Sequence, residues 1–308
     1  MTALPFLDAG AVAEALPWAD AVAALELALL GGLDPGEGHA RTIAEVTHGQ
    51  LLLMPGEDVD AVGVKVATVA PDNPGRGLPR IQGLYLLLDH ASLSPVALLD
   101  GIALTALRTP AVSAVAVDHL APPDASRLIV FGTGPQGRGH VEAIRAVRPI
   151  DSVAVVGRDP GRTDDMVAWV RGLGLSATAG NAEAVADADI VACATTSREP
   201  IFDGRLLLDH ACVVAVGSHE PDARELDDTA FERAARGGCV VVESRVSALA
   251  ECGDVIMAVD RGVIDPEMLV DIAEVVHRDP PGGLTVFKSS GMGWEDLMLA
   301  QAIFDRGA

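Results

Sequence analysis

The sequence predicts an α/β protein in two parts, with an α+β portion first and a doubly wound parallel sheet after it. A chain of 308 residues is long enough for roughly two domains. Short runs rich in Val, Leu and Ile, separated by Pro, Gly and Asn, fill residues 40–100, which is typical of antiparallel strands. From Arg127 onward, continuous apolar runs alternate with helical segments, which indicates a parallel sheet covered on both faces.

The N-terminal portion begins with helices. Asp8 can cap a first short helix, and apolar residues at helical spacing predict a second over Trp18–Leu30, ended by a glycine pair. After the strands, two helical pieces are expected, Ile102–Arg108 and one that starts near Pro110. Ala121–Asp124, with two consecutive prolines, is the expected linker. The predicted strands are Thr42–Val46, Gln50–Met54, Val62–Ala70, Gly83–Asp89 and Val96–Leu99.

Beyond the linker, strands and helices alternate regularly. Each apolar strand is short and is followed by a segment with helical spacing, which is the pattern of repeated strand–helix units. A last helix is predicted over Trp294–Asp305. The strands predicted before it are Leu128–Phe131, Ser152–Val156, Ile190–Ala194, Cys212–Val216 and Cys239–Val242, with helices over Gln136–Val147 and Thr163–Leu173.

Charge and composition exclude several classes of partner. With 22 basic and 44 acidic side chains, the net charge is −22, which argues against nucleic acid or an anionic membrane as a partner. The most apolar N-terminal stretch, Ala21–Leu30, is too short to span a bilayer and lacks a basic segment before it, so we expect no signal peptide. The four cysteines form no C-x-x-C pair, so buried thiols in a reducing cytoplasm are favoured over disulfides or a metal site.

A glycine-rich turn follows the strand Leu128–Phe131 directly and opens a helix. It reads Gly132-Thr133-Gly134-Pro135-Gln136-Gly137, the G-x-G-x-x-G spacing in which glycines permit a tight turn, close approach of a pyrophosphate and close helix–strand packing. The helix N-terminus then offers free N–H groups to the phosphates. Because a strand precedes the turn and a second strand follows at the right distance, we expect a Rossmann-type dinucleotide site.

The end of the second strand bears on the choice of nucleotide. NAD sites usually place an acidic residue there for the ribose 2′-hydroxyl. This chain has Arg158, Asp159 and Arg162 after the strand, and arginine suits a 2′-phosphate by charge and geometry. NADP(H) is therefore favoured. NAD(H) stays open, with Asp159 on the hydroxyl and the two arginines in a solvated loop.

Only two of the 22 basic residues are lysines, Lys65 and Lys288. Lys65 shares one face of its predicted strand with the small residues Gly63 and Ala67, which leaves a groove around the ammonium group. A charge in so apolar a strand needs a partner or a ligand, unless it reaches solvent at a sheet edge. Together with Arg41 and Arg108, Lys65 could clamp a carboxylate, although each of the arginines alone could be a surface ion pair.

Several motifs in order resemble the ornithine cyclodeaminase/mu-crystallin family over almost the whole chain. The ordered set is more specific than any single motif. The matching segments are Gly63-Val64-Lys65, Leu104–Thr109 with Ser113-Ala114, Gly132–Gly137, Arg224-Glu225-Leu226-Asp227, Phe287-Lys288-Ser289 and Glu295-Asp296-Leu297.

The resemblance implies a homodimer with two domains. Residues 1–120 and 285–308 would bind substrate and mediate dimerisation, completed by the C-terminal helix, and residues 121–284 would form the NAD(P)-binding Rossmann domain. It also implies that Arg41, Lys65 and Arg108 hold the substrate α-carboxylate. Met54 is expected to line the substrate pocket. Further cofactor contacts are expected at Thr109, Thr195, Val216, Gly217 and Ser218.

One departure from the family pattern guides the choice of activity. Family cyclodeaminases carry an aspartate where this chain has His219, and histidine replaces a carboxylate poorly beside a substrate ammonium. Glu220 could substitute if the loop is shifted by one residue. Imine reduction needs only hydride, carboxylate binding and one proton donor, which Lys65 or His219 could provide.

The leading hypothesis is therefore an NAD(P)H-dependent reductase of a cyclic imino acid such as Δ1-pyrroline-2-carboxylate. The alternatives are ornithine cyclodeaminase with bound NAD, alanine dehydrogenase, and a non-catalytic NADP-binding protein like the crystallin branch. The expected partners are a small amino or imino acid and a second copy of the chain.

Overall fold

The computed structural model describes residues 4–218 and 220–307 of the chain. These residues form two compact units. The first consists of the chain up to Thr109 together with the segment from Met292 onward, and the second is Pro110–Gly291. Within the described ranges, every helix is too short or too polar to cross a bilayer.

A six-stranded sheet forms the centre of the first unit. Every neighbouring pair from the second to the sixth strand is antiparallel, as predicted, and the short first strand runs parallel to the sixth at the edge. The strands are β1 (Phe6–Leu7), β2 (Thr42–Val46), β3 (Gly49–Glu57), β4 (Ala61–Val69), β5 (Ile81–Asp89) and β6 (Pro95–Asp100), in the spatial order β1-β6-β5-β4-β3-β2.

Three helices belong to the N-terminal part of the chain. Asp8 caps α1 (Ala9–Ala15) by accepting a hydrogen bond of 2.9 Å from the Ala11 N–H, and α2 spans Trp18–Leu30 as predicted. The next helix, α3 (Gly101–Leu120), runs unbroken through Pro110, whereas the sequence predicts two pieces. A proline inside a helix removes one backbone donor. The apolar residues around Pro110 are buried, so packing stabilises the helix despite that loss.

The second unit is an eight-stranded sheet in which every neighbouring pair is parallel, which confirms the predicted doubly wound sheet. Its strands are β7 (Arg127–Phe131), β8 (Ser152–Val156), β9 (Ser176–Ala179), β10 (Ile190–Cys193), β11 (Cys212–Ala215), β12 (Cys239–Val242), β13 (Leu269–Asp271) and β14 (Thr285–Lys288). Its remaining helices are α4 (Pro135–Val147), α5 (Pro160–Gly172), α6 (Asp228–Gly237), α7 (Arg245–Glu251), α8 (Gly253–Asp260) and α9 (Ile272–Val275).

The spatial order β13-β12-β14-β11-β10-β7-β8-β9 locates the ligand crevice expected of such a sheet. From β7 the chain builds outward to β8 and β9, then returns to place β10 on the other side of β7. Ligands of open α/β sheets bind at the carboxyl ends of the strands where the order reverses. The turn after β7 and the loop after β10 therefore border the expected site.

The observed division of the chain differs from the predicted one at both boundaries. The sequence places β14 with the C-terminal helix, but β14 pairs with β11 and β12 inside the parallel sheet. Only the final helix, α10 (Gly293–Asp305), belongs to the first unit, where it contacts α2 and β3–β5. The other division falls within α3, between Thr109 and Pro110, rather than at the Ala121–Asp124 linker.

Candidate functional site

The glycine turn after β7 has the shape that a pyrophosphate requires. Gly132 has φ +113°, and a Cβ there would overlap the carbonyl oxygen of Ala194, so only glycine fits. A Cβ at Gly137 would likewise overlap the Gly132 carbonyl oxygen. At Gly134, by contrast, a Cβ would meet no described atom within 4 Å, so this side of the turn is open. These features fit a bound dinucleotide, with its phosphates over the open glycine at the N-terminus of α4.

A buried histidine stabilises the start of α4. The Nδ1–H of His140 donates to the Gln136 carbonyl oxygen at 2.7 Å, and Nε2 accepts from the Ser113 hydroxyl at 3.0 Å. Burial lowers the pKa of His140 to about 4, against a weaker opposing effect of the Gln136 hydrogen bond. The imidazole is therefore neutral near pH 7, and it joins α4 to α3 within the second unit.

The segment after β8 presents two arginines to solvent. Asp159 caps α5 by accepting a hydrogen bond of 2.8 Å from the Arg162 N–H, so one of its oxygens is engaged in helix capping. Arg158 and Arg162 are both exposed, and neither makes an ion pair with a described residue. This arrangement leaves two guanidinium groups available beside the position expected for the adenosine ribose.

The loops after β10 and β11 are held together by one carboxylate. Glu225 accepts hydrogen bonds from the Thr195 N–H at 2.7 Å, from the Thr195 hydroxyl at 2.6 Å and from the Gly217 N–H at 2.7 Å. Val216 and Gly217 are half-buried, and Ser218 is buried, with its hydroxyl donating to the Ala223 carbonyl oxygen. The predicted cofactor contacts Thr195 and Gly217 are thus brought side by side.

Of the two residues that could take the place of the family aspartate, the structure describes one. His219 lies outside the described residues. Glu220 is described, and its carboxylate accepts a hydrogen bond of 2.6 Å from the Arg198 guanidinium group in an exposed ion pair. The Glu220 carboxylate is therefore already paired with Arg198.

In the first unit, Lys65 is buried on β4, an internal strand, which excludes the alternative that its ammonium reaches solvent at a sheet edge. Its Nζ donates to Asp296 Oδ2 at 2.7 Å and to the Thr105 hydroxyl at 3.2 Å. Arg108 donates to Glu295 Oε2 at 2.7 Å, and its Nε lies 3.7 Å from Asp296 Oδ1. The two predicted cations thus converge on adjacent carboxylates at the start of α10.

The environment of Lys65 makes it an unusually acidic ammonium group. Its pKa is lowered to about 8, chiefly by burial, with the nearby Arg108 charge acting in the same direction and the charge of Asp296 opposing both. The predicted groove beside Gly63 is absent, because the Tyr85 hydroxyl occupies the space that a Cβ at Gly63 would need. Tyr85 pairs with Lys65 across the sheet and is fully buried.

The other predicted substrate residues lie along the same row of the sheet. Met54 is buried and pairs with Lys65 in the register of β3 and β4. Arg41 is half-buried and immediately precedes Thr42, which pairs with Leu53 beside Met54. Thr109, predicted to contact the cofactor, is buried in α3 next to Arg108.

Sequence reasoning assigned no role to Glu295 and Asp296, although they are the counter-ions of the cluster. Both are completely buried. The available signal was a pair of carboxylates in the first turn of an otherwise apolar helix, a position that the helix dipole favours. Their partners could not be inferred from the sequence, because Lys65 and Asp296 lie 231 positions apart.

The fold and site define a class of protein: a two-part chain with a Rossmann-type dinucleotide unit and an α+β unit carrying a buried cationic cluster. Within that class, the chain belongs to the ornithine cyclodeaminase/mu-crystallin family, whose model matches residues 19–308.

Individual relatives agree with this assignment. The chain is 34% identical over 266 residues to a Δ1-pyrroline-2-carboxylate reductase of Bacillus cereus (strain ZK / E33L), covering 83% of this chain and 81% of the relative. A solved Δ1-pyrroline-2-carboxylate reductase of Thermococcus litoralis, in complex with NADH and L-proline, aligns with TM-score 0.89 and 30% identity, covering 99% and 97% of the two chains. An archaeal alanine dehydrogenase dimer with bound NAD aligns with TM-score 0.91 and 26% identity, covering 99% and 96%.

Proposed function

We propose that the chain reduces a cyclic imino acid of the Δ1-pyrroline-2-carboxylate type to the corresponding cyclic amino acid with NAD(P)H. The main support is the buried Lys65 ammonium group beside Arg108, in a chain that also has the glycine-rich turn Gly132–Gly137 of a dinucleotide site. The reactions named for the relatives in Bacillus cereus and Thermococcus litoralis support the same activity.

Substrate binding begins with charge. Lys65 and Arg108 carry two positive charges, which Glu295 and Asp296 balance within the same cluster. Arg41 adds one further positive charge at the neighbouring end of β2. We propose that Arg41 and Arg108 hold a single α-carboxylate by charge-assisted hydrogen bonds, while the Lys65 ammonium adds its positive charge beside it.

Lys65 is the proposed proton donor. Reduction of the C=N bond adds a hydride to carbon and a proton to nitrogen, and bound NAD(P)H supplies the hydride. Lys65 has three N–H groups, of which Asp296 and Thr105 accept two, leaving one for the imine nitrogen. With a pKa of about 8, Lys65 is mostly protonated at neutral pH and still releases a proton readily.

We propose NADP(H), rather than NAD(H), as the preferred cofactor. The pyrophosphate is expected over Gly132–Gly137, and the nicotinamide beside Thr195 and Val216–Ser218. Arg158 and Arg162 are exposed and free of described ion pairs, so they can bind a 2′-phosphate. Asp159, which caps α5, remains the alternative contact for the 2′-hydroxyl of NAD(H). We also propose that the protein is located in the cytoplasm, as expected from the sequence.

A homodimer is proposed from the accessible face of the six-stranded sheet. Leu53, Val66 and Leu84 are neighbours across three strands and are 39%, 38% and 45% exposed. An apolar sheet face of this extent is typical of a protein interface. A second copy of this chain is the proposed occupant, since the archaeal alanine dehydrogenase of the same fold is a dimer. The face also includes Leu51, Val64 and Leu86.

The deciding experiment measures nicotinamide absorbance with Δ1-pyrroline-2-carboxylate and each reduced cofactor, and identifies the amino-acid product. We expect cofactor oxidation with formation of proline, faster with NADPH than with NADH. Lys65→Met should abolish turnover and retain cofactor binding. If neither cofactor is oxidised, the proposal is overturned. Release of ammonia from ornithine without net cofactor change indicates a cyclodeaminase, and dependence on pyruvate plus ammonium indicates alanine dehydrogenase. Cofactor binding without any turnover indicates a crystallin-like binding protein.

A further inference from the structure

Glu225 is a fully buried carboxylate with no place in the reaction proposed above. It lies just before α6, and its two oxygens accept three hydrogen bonds from two different loops. One oxygen takes the N–H and the hydroxyl of Thr195, and the other takes the N–H of Gly217. A single carboxylate thus fixes the backbone of both loops.

The two loops follow neighbouring strands at the carboxyl edge of the parallel sheet. Thr195 comes shortly after β10, and Gly217 comes shortly after β11. A Cβ at Gly217 would overlap the Thr195 carbonyl oxygen and would lie 2.6 Å from Glu225 Oε1. The loops are therefore in backbone contact, and the carboxylate bonds to both at their point of contact.

Two further buried charges support this arrangement. Asp254 Oδ1 accepts hydrogen bonds of 2.8 Å from the N–H groups of Glu225 and Leu226. Lys288 Nζ lies 3.6 Å from Asp254 Oδ2 and donates to the Ser218 carbonyl oxygen at 2.6 Å. Burial raises the pKa of Glu225, while the charge of Lys288 opposes that rise.

We infer that Glu225, supported by Asp254 and Lys288, is a positioning residue that holds Thr195 and Gly217–Ser218 in the conformation that receives the nicotinamide half of the cofactor. The inference rests on the proposed function, which puts a nicotinamide nucleotide at this edge of the sheet. Loops held in their bound conformation lose less entropy when ligand binds. The adenosine half, by contrast, is expected over the turn after β7 and beside β8, whereas the described hydrogen bonds of the Glu225 carboxylate go to the loops after β10 and β11.

The test compares ligands with and without the nicotinamide. Glu225→Gln removes the charge and puts an NH₂ group against one of the N–H donors, so one loop loses its acceptor. Glu243→Gln is the matched control. Glu243 is also buried, and it accepts from the Ser289 hydroxyl and from the Ser290 and Gly291 N–H groups rather than from Thr195 or Gly217. Affinities for NADPH, NADH and ADP-ribose are measured by calorimetry, with unfolding temperature as the measure of stability.

For Glu225→Gln we expect affinity for the preferred reduced cofactor to fall about tenfold, equal to about 1.4 kcal/mol, with ADP-ribose affinity within about twofold of wild type. The fluorescence of bound NAD(P)H should change as well. Glu243→Gln should lower the unfolding temperature but keep the wild-type ratio of the affinity for the reduced cofactor to the affinity for ADP-ribose. If Glu225→Gln does not fold, Glu225→Asp is used, since its shorter side chain reaches one loop rather than both and should give the same selective loss.

The possible results distinguish failure of the proposed function from failure of the inference about Glu225. A wild-type chain that binds neither NADPH nor NADH overturns the proposed function together with this inference. A wild-type chain that binds cofactor, with Glu225 variants that keep its affinity ratio, overturns the inference alone. An equal loss of ratio in Glu243→Gln also overturns it, because a general loss of stability would then explain both variants.

Discussion

Removing the Asp296 carboxylate should shift the pH dependence of imine reduction toward acid. Asp296 Oδ2 lies 2.7 Å from Lys65 Nζ, and both groups are buried. An opposite charge this close typically changes a pKa by about 1–3 units. Taking about 2 units, Asp296→Asn moves the pKa of Lys65 from about 8 to about 6. The direction follows because the carboxylate favours the charged ammonium.

The consequence for rate depends on pH. If protonated Lys65 is the acid, about nine-tenths of the wild-type enzyme is active at pH 7, against about one-tenth of the variant. The reduction rate at pH 7 should therefore fall about tenfold. Near pH 5, Lys65 is protonated in both proteins, so the two rates should converge. Proline oxidation needs the neutral amine, so its rate should rise with pH through the same pKa.

The assay is a profile of kcat and kcat/KM for reduction between pH 5 and pH 9, with cofactor affinity measured in parallel. Glu295→Gln serves as the control, because Glu295 raises the pKa of Lys65 less than Asp296 does. The alkaline limb of the pH–rate profile should move less in Glu295→Gln than in Asp296→Asn. A loss of rate in Asp296→Asn by one factor at every pH, or an unchanged limb, would refute Lys65 as the acid.

Four further predictions concern the rest of the molecule. Gly132→Ala should abolish cofactor binding in calorimetry, since the residue has φ +113° and a Cβ would overlap Ala194; binding at wild-type affinity would show that the turn can relax. The double variant Arg158→Ala/Arg162→Ala should lose about a hundredfold in NADPH affinity and little in NADH affinity, because only NADPH has the 2′-phosphate. Equal losses would contradict that assignment. His140 has a pKa of about 4 in the folded chain and about 6.5 unfolded, so its contribution to stability is complete above pH 6.5 and is lost as pH falls toward 4. Urea unfolding at pH 7 and pH 5 should show about 2 kcal/mol less acid destabilisation in His140→Gln than in wild type; an identical difference would exclude His140 as the source. Val66→Lys should shift the mass measured by light scattering toward the monomer, while Leu27→Lys, at a 66% exposed position on α2, should not; a dimeric Val66→Lys protein would exclude this sheet face as the interface.

The glycine turn, the alternation of strands and helices and the antiparallel order of β2–β6 were all accessible from the sequence. These features depend on neighbours within a few residues: glycine spacing after an apolar strand, or a period of two along a strand. The same local logic put Lys65 on the face of β4 that the structure shows buried. Where local signals conflicted with packing, prediction failed, as at Pro110 inside the continuous α3.

Tertiary structure alone decided which groups meet. Asp296 and Glu295 lie 231 and 187 positions from Lys65 and Arg108, and no periodicity connects such distant residues. The same holds for β14, whose place between β11 and β12 is set by pairing with strands far away in the chain. Sequence determined which cations were available. Burial and the approach of α10 decided that Lys65 has a pKa near 8, because desolvation and ion pairing exist only once distant segments have packed together.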